Sequence, residues 1–382
     1  MKKILICLFS LRVVFAYTNL GILNFGDPVY VHGGRSIALG LTGFSSSIGA
    51  ETIFKNPAGM SRFSSSRVFL NFPVAKISER IIPDSDWSGD TGGAYYNDNT
   101  YMKVPELAIV YPFSKKLKVG AGMREIQNFD YKHTKDIYSG ETYQGRITYD
   151  AEGSINGYNI SFSMPFFKNW NFGFGYELLS GNPDIERKEI SGTFTKTKYS
   201  YSGKRCVFSF FKERGDWNAG FFYTGKTNLD YDLTFTSGTL NPQKYKGTSH
   251  LPKTIGFGIN YIWGGAVSAA FYFDIIKTYW SDLARVYKDR ISFHTGIEND
   301  ISARVKLRYG MAFIPSYEET SVEKVFFTAG IGYYVSASIY LDIGFAYGKR
   351  DYLHQWEGSG VSYDGRVDET MDLLSISLDW RL

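Results

Sequence analysis

The side chains that could do covalent or metal chemistry are few and far apart. Five histidines occur, His32, His133, His250, His294 and His354, and a hydrolytic centre would need one of them beside a nucleophile and an orienting acid. No spacing pairs them persuasively. His133, His250 and His354 fall in segments that read as polar outer loops, where a solvated imidazole is the ordinary outcome. The sequence carries no HExxH pair, no Walker loop and no zinc-ligand spacing, so no enzyme, metal or cofactor is expected. Cys206 would be the lone cysteine once a leader is removed, which excludes an internal disulfide. What the chain has in quantity is apolar contact surface, since aromatic residues make up 17% of it. The chemistry to look for is the binding of something greasy.

The elements that would position such a surface are strands. Ile255, Phe257, Ile259, Tyr261 and Trp263 interleave with Gly256, Gly258 and Asn260. Leu374, Ile376, Leu378 and Trp380 interleave with Ser375, Ser377 and Asp379 in the same way. Period two over eight to ten residues or so means strand, and the 40 glycines fit sheet better than helix. After residue 16 no run approaches the roughly 18 apolar residues of a membrane helix, and mean hydropathy is −0.21. Residues 1–16 read as a secretory leader, with Lys2 and Lys3 ahead of an apolar stretch and Val14 and Ala16 at the cleavage positions. Loss of Lys2, Lys3 and Arg12 takes the formal net charge from +4 to +1, and no basic surface for nucleic acid remains.

The connections decide where the greasy faces look. Tight links near Ser114–Lys116, Lys168–Asn169, Arg214–Asp216, Gly264–Gly265, Glu298–Asp300 and Ser336–Ala337 alternate with long polar ones, among them His133–Arg146, Gly181–Lys198, Gly238–Ser249 and Asp351–Asp368. Short turns at one end and long loops at the other are the habit of outer-membrane barrels. The spacing predicts an all-β, transmembrane antiparallel β-barrel of about 14 strands. Predicted strands lie near 66–80, 102–113, 117–132, 147–165, 170–180, 199–213, 217–236, 250–263, 266–280, 289–299, 302–315, 321–334, 338–351 and 369–381. Tyr and Trp at strand ends, such as Trp170, Trp217, Tyr261 and Trp263, suit lipid headgroup level.

Residues 17–62 break the pattern. They carry Gly33, Gly34, Gly40, Gly43, Gly49 and Gly59 with Ile37, Leu39, Leu41, Phe44 and Phe54, a composition suited to a plug folded into the lumen. A periplasmic extension is the alternative. The expected organisation is leader 1–16, plug or hatch 17–62 and barrel 63–382. Gly33 to Gly40 and Phe54-Lys55-Asn56-Pro57-Ala58-Gly59-Met60 resemble the N-terminal plug of the outer-membrane long-chain fatty acid transporters. Val104 to Pro112 with Val119 to Gly122 is similar to that family's second and third strands, and Leu251 to Gly258 through Asp274 to Tyr279-Trp280-Ser281 to its middle strands. The resemblance implies a plugged barrel in the cell outer membrane that passes fatty acids or other hydrophobic small molecules, with lateral release into membrane lipids near a kinked third strand.

On this reading Phe44, Phe54, Asn56, Pro57 and Ala58 are gate or plug residues, and Asn56-Pro57-Ala58 either gates or merely turns the chain. Apolar side chains on the inward register are pocket candidates: Val110, Phe222, Tyr272 and Ile276. Phe208 and Phe210 join them because their strand is apolar on both faces, and for each residue packing against the plug is the plain alternative. The lateral opening is expected near Ile126, Gln127 and Asn128, although no Gly or Pro there announces a kink. A monomer is expected. An assembly or secretion component on the same plugged barrel, and an outer-membrane enzyme, are the rival classes; a continuous apolar groove favours transport, and clustered His with carboxylates favours catalysis.

Overall fold

The computed structural model describes residues 18, 25–29, 33–46, 48–83, 95–102, 105–139, 142–190, 192–238, 240–264, 268–317, 322–358 and 361–382. The expected leader and His32 lie outside the described residues. β1 is Arg67–Pro83, β2 has two segments, Tyr95–Met102 and Glu106–Tyr111, and β3 has two, Lys118–Asn128 and Tyr131–Ser139. β4 comprises Thr142–Glu152 and Ser154–Pro165, β5 Trp170–Gly181 and Asp184–Lys188, and β6 Phe194–Arg214. β7 comprises Trp217–Thr224 and Thr227–Ser237, and β8 Gln243–Leu251 and Lys253–Trp263. β9 to β14 are Ala269–Tyr279, Arg290–Asp300, Val305–Pro315, Glu323–Tyr334, Ile339–Gly358 and Val361–Arg381.

Each strand pairs antiparallel with its neighbours, and β14 returns to β1 from Arg67↔Arg381 to Pro83↔Gly365. The result is a closed 14-strand barrel without a free edge. Its greasy stripe faces out: Phe257 and Ile376 are 43% and 42% exposed, whereas their neighbours Gly258 and Ser375 are buried. A dry two-layer core would have hidden those side chains, so this exposed band marks the surface that meets lipid.

Several segments expected as loops are strand instead. The β13–β14 ladder continues from Asp351↔Asp368 to Gly358↔Val361, and His133–Arg146, Gly181–Lys198 and Gly238–Ser249 are likewise largely ladder. Above the greasy band both faces of a hairpin meet water, so the apolar alternation fades while the backbone bonds persist. Cross-strand pairs such as Lys246–Asp232 and Lys196–Asp184 decorate these projections. His133 and His250 therefore sit on strands, His250 with its Nδ1 3.0 Å from the Asn228 side-chain oxygen.

The N-terminal segment fills the lumen. Its helices α1 (Gly34–Ala38) and α2 (Thr52–Lys55) and the 3-10 turn Pro57–Arg62 touch opposite parts of the wall, α1 against β11 to β14 and the 3-10 turn against β3 to β6. Ile37, Leu39, Ile53, Phe54 and Met60 are essentially unexposed. Small wall residues let this backbone come close: a Cβ on Gly220 would lie 1.8 Å from the Phe44 carbonyl oxygen, and one on Gly344 2.0 Å from that of Gly34. Both obstacles are backbone, which cannot swing aside. Gly220→Ala is accordingly expected to cost about 1–3 kcal/mol by displacing the plug, read as a fall in the denaturant midpoint of the refolded barrel; an unchanged midpoint would refute the close fit.

Candidate ligand cavity

Above the plug lies a cavity of ≈ 210 Å³. Its floor is Leu41, Phe44 and Phe54 from the plug, and its walls include Phe222, Leu251, Ile276, Trp280 and Ile314. Phe44 stacks on Phe222 with ring centroids 5.3 Å apart. A space of this size suits one six-membered ring or a stretch of alkyl chain, since a dry cavity of about 150 Å³ already accepts benzene. Polar groups sit at its margin: Lys55, Arg124, Arg205 and Asp274. The Asp274 carboxylate accepts from the Gly43 and Phe44 N–H groups at 2.6 and 3.1 Å, fixing the floor. Lys55 donates to the Leu41 and Thr42 carbonyls at 2.9 and 3.1 Å. Burial pushes the Lys55 ammonium down to about 8, with the Asp274 carboxylate pulling the other way. Glu177, wholly buried, takes Arg124 Nε at 3.0 Å and Arg205 Nε at 2.9 Å.

One side of the cavity is not barrel wall. The described β2–β3 ladder runs from Tyr111↔Val119 to Leu107↔Met123. Beyond it β3 bulges at Ile126, where the register to β4 shifts between Glu125 and Gln127, and stops at Asn128 before resuming at Tyr131. A strap of the N-terminal segment takes the vacated edge. Asp27 and Pro28 pair with Asn128 and Gln127, the Val29 N–H donates to the Ile126 carbonyl at 3.1 Å, and the Gln127 amide donates to the Phe25 carbonyl at 2.6 Å. Tyr317 grips the strap from β11's outer end: its hydroxyl accepts from the Phe25 N–H at 3.3 Å and donates to the Gly26 carbonyl at 3.1 Å. Pro28 and Val29 face the cavity.

Toward the turn end the lumen is closed by charge. Arg35 on α1 meets Glu298 at 3.2 Å, and Arg35 Nη2 donates to the Tyr272 hydroxyl at 3.0 Å. Arg308, 0% exposed, bridges Glu298 at 2.6 Å, Asp342 and the Tyr340 hydroxyl. An apolar molecule resting on the plug would have to cross this ion cluster to continue straight down.

No family model and no curated relative matches the sequence. Solved structures do. A FadL homologue from Pseudomonas aeruginosa superposes with a TM-score of 0.72 at 14% identity, over 93% of this chain and 99% of that one. This chain has the FadL-type fold. The toluene transporters TodX of P. putida (TM-score 0.65, 14% identity, 92% of this chain and 98% of that one) and TbuX of Ralstonia pickettii (0.63, 16%, 95% and 99%) superpose as well.

Within this FadL-type barrel the expected site residues part company. Phe44, Phe54, Phe222 and Ile276 line the cavity, as do Ile126 and Gln127, while Asn128 holds the strap. Asn56, Pro57 and Ala58 do not reach it. Asn56 Nδ2 donates to the Phe44 carbonyl at 2.6 Å and the Phe210 carbonyl at 3.2 Å. Pro57 opens the 3-10 turn, and Ala58 is clamped between the Ser209 and Ser163 hydroxyls at 2.9 and 3.1 Å. The motif is an anchor to β4 and β6. Val110 is a correction: it is buried with Ile53, Phe54 and Met60 between plug and wall. Tyr272 is another, drawn beneath the plug by Arg35.

Phe208 and Phe210 are the third correction. Val207, Ser209 and Phe211 hold the inward register, and Phe208 and Phe210 point to the lipid side in a chain of rings with Phe174 and Phe172, at 5.3 and 5.5 Å. A strand apolar on both faces carries no register in its residue types. The polar margin of Lys55, Arg124, Arg205 and Asp274 was missed, although charged residues on the inward register of an otherwise alternating strand are a readable signal.

Proposed function

We propose that this chain admits small hydrophobic compounds through an outer membrane and releases them sideways, acting as a monomer among membrane lipids. The observation that carries the reading is the cavity itself: lined mostly by apolar side chains, seated on a plug with a buried ion cluster beneath, and closed toward β3 by a strap rather than by wall. An apolar solute gains about 0.8 kcal/mol per CH₂ it buries there, and a side exit spares it the ion cluster beneath the plug. The 210 Å³ volume favours a single-ring hydrocarbon or part of an acyl chain, in keeping with neighbours named as toluene transporters and a FadL homologue. In this reading residues 1–16 are a leader, 17–62 the hatch, and 63–382 the barrel, with Ile126, Gln127 and Asn128 framing the exit.

The test locks the strap. Pro28→Cys with Gln127→Cys, in a Cys206→Ser background, places thiols on register partners. Oxidation is expected to reduce uptake of toluene or a labelled fatty acid at least tenfold or so, with reductant restoring it; the scale is that of removing the competent conformer from the population. Uptake unchanged by oxidation would sink the side exit. Mass spectrometry of the purified chain should also find a bound apolar compound, and repeated failure to find one, together with no uptake defect on deletion, would sink transport altogether.

A further inference from the structure

A basic pair on the outside of the barrel is used neither by the cavity nor by the plug. Lys253 and Lys277 lie on the lipid-facing register of β8 and β9, Lys253 directly across from Tyr279 and Lys277 two residues before it. Both ammonium groups rest on the Tyr279 ring, at 3.8 and 4.6 Å from its centroid. Among the described residues neither lysine has a carboxylate partner. The two nearby acids of the following loop are engaged otherwise: Asp282 accepts from the Lys253 backbone N–H at 3.1 Å, and Asp289 from the Ser281 hydroxyl at 2.7 Å.

The height of the pair is informative. The 11-residue segment Lys253–Trp263 climbs about 25 Å at the usual rise and tilt of a barrel strand, which is the height of the apolar band. Trp263, 66% exposed, marks the turn-side headgroup level, so Lys253 and Lys277 stand at the opposite one, beneath the long hairpins. Two cations stacked against one ring lose little freedom on binding, and a phosphate monoester brings about −1.5 to −2 charges at pH 7.

We propose that Lys253, Lys277 and Tyr279 form a seat for the phosphomonoester headgroup of a lipid in the outer leaflet. The proposal rests on the membrane reading above. The full chain is reconstituted into phosphatidylcholine vesicles containing phosphatidic acid or, separately, phosphatidylglycerol, and retained lipid is measured by native mass spectrometry. The wild type retains phosphatidic acid over phosphatidylglycerol, and K253Q/K277Q retains roughly thirtyfold less, on the scale of two interfacial lysines. Tyr279→Phe keeps the ring and the retention, Tyr279→Leu loses part of it, and K115Q/K116Q at the opposite end changes nothing. Equal retention by K253Q/K277Q, or an equal loss in K115Q/K116Q, overturns the site; indifference between the two anionic lipids overturns the phosphomonoester. Failure of the wild type to insert into vesicles overturns the membrane reading and the seat with it, whereas normal insertion with equal lipid retention overturns the seat alone.

Discussion

Arg308→Ala is expected to destabilise the folded chain by about 3–5 kcal/mol, because it strands the buried Asp342 carboxylate rather than merely deleting contacts. Arg308 has no exposed surface, takes Glu298 at 2.6 Å, and reaches Asp342 and Tyr340 on β13. Through Glu298 it also supports Arg35 of the plug. Denaturant unfolding of the refolded barrel measures the loss, and a change below about 1 kcal/mol would show that water reaches the cluster. The double variant Arg308→Met, Asp342→Asn should recover much of the stability, since Asp342 is then neutral while Glu298 keeps Arg35 and Lys306 as partners. Recovery without uptake specificity would separate the cluster's structural role from its part in closing the lumen.

Filling the cavity should cost function without costing the fold. Ile276 faces the cavity from β9, packed near Phe44 and Phe222, and Ile276→Trp is expected to lower uptake of a single-ring hydrocarbon at least tenfold, roughly the price of excluding a ring from a site it barely fits. Ile275→Trp supplies the control. That side chain is one residue away on the lipid-facing register, paired with Phe257, where a tryptophan is at home. Equal uptake by the two variants would mean that the route bypasses this cavity. The same comparison guards against misfolding, because both variants place the same bulk on the same strand.

The barrel was legible in the sequence for a physical reason. A strand between lipid and lumen must alternate, and Ile255 to Tyr261 or Leu374 to Trp380 do so without exception. Where a strand leaves the lipid the signal fades although the strand does not, which is why the β13–β14 projection read as a loop. The cavity was only half legible. Phe222 and Val110 share an inward register and an apolar type, yet one faces open space and the other is sealed under the plug. The difference lies in how far up the wall the plug reaches at each strand.

Residue types alone determined the closed antiparallel sheet, its greasy exterior and the presence of a glycine-rich segment suited to its lumen, because these follow from period-two patterning, turn lengths and composition. The tertiary structure decided which inward residues meet the cavity, the placing of Phe208 and Phe210 on the outside, and the bulge at Ile126 with the strap beside it. Those outcomes depend on relative heights and on partners distant in the chain, such as Asp27 against Asn128 and Gly40 against Thr328, and no local pattern encodes a distance between segments that meet only after the barrel has closed.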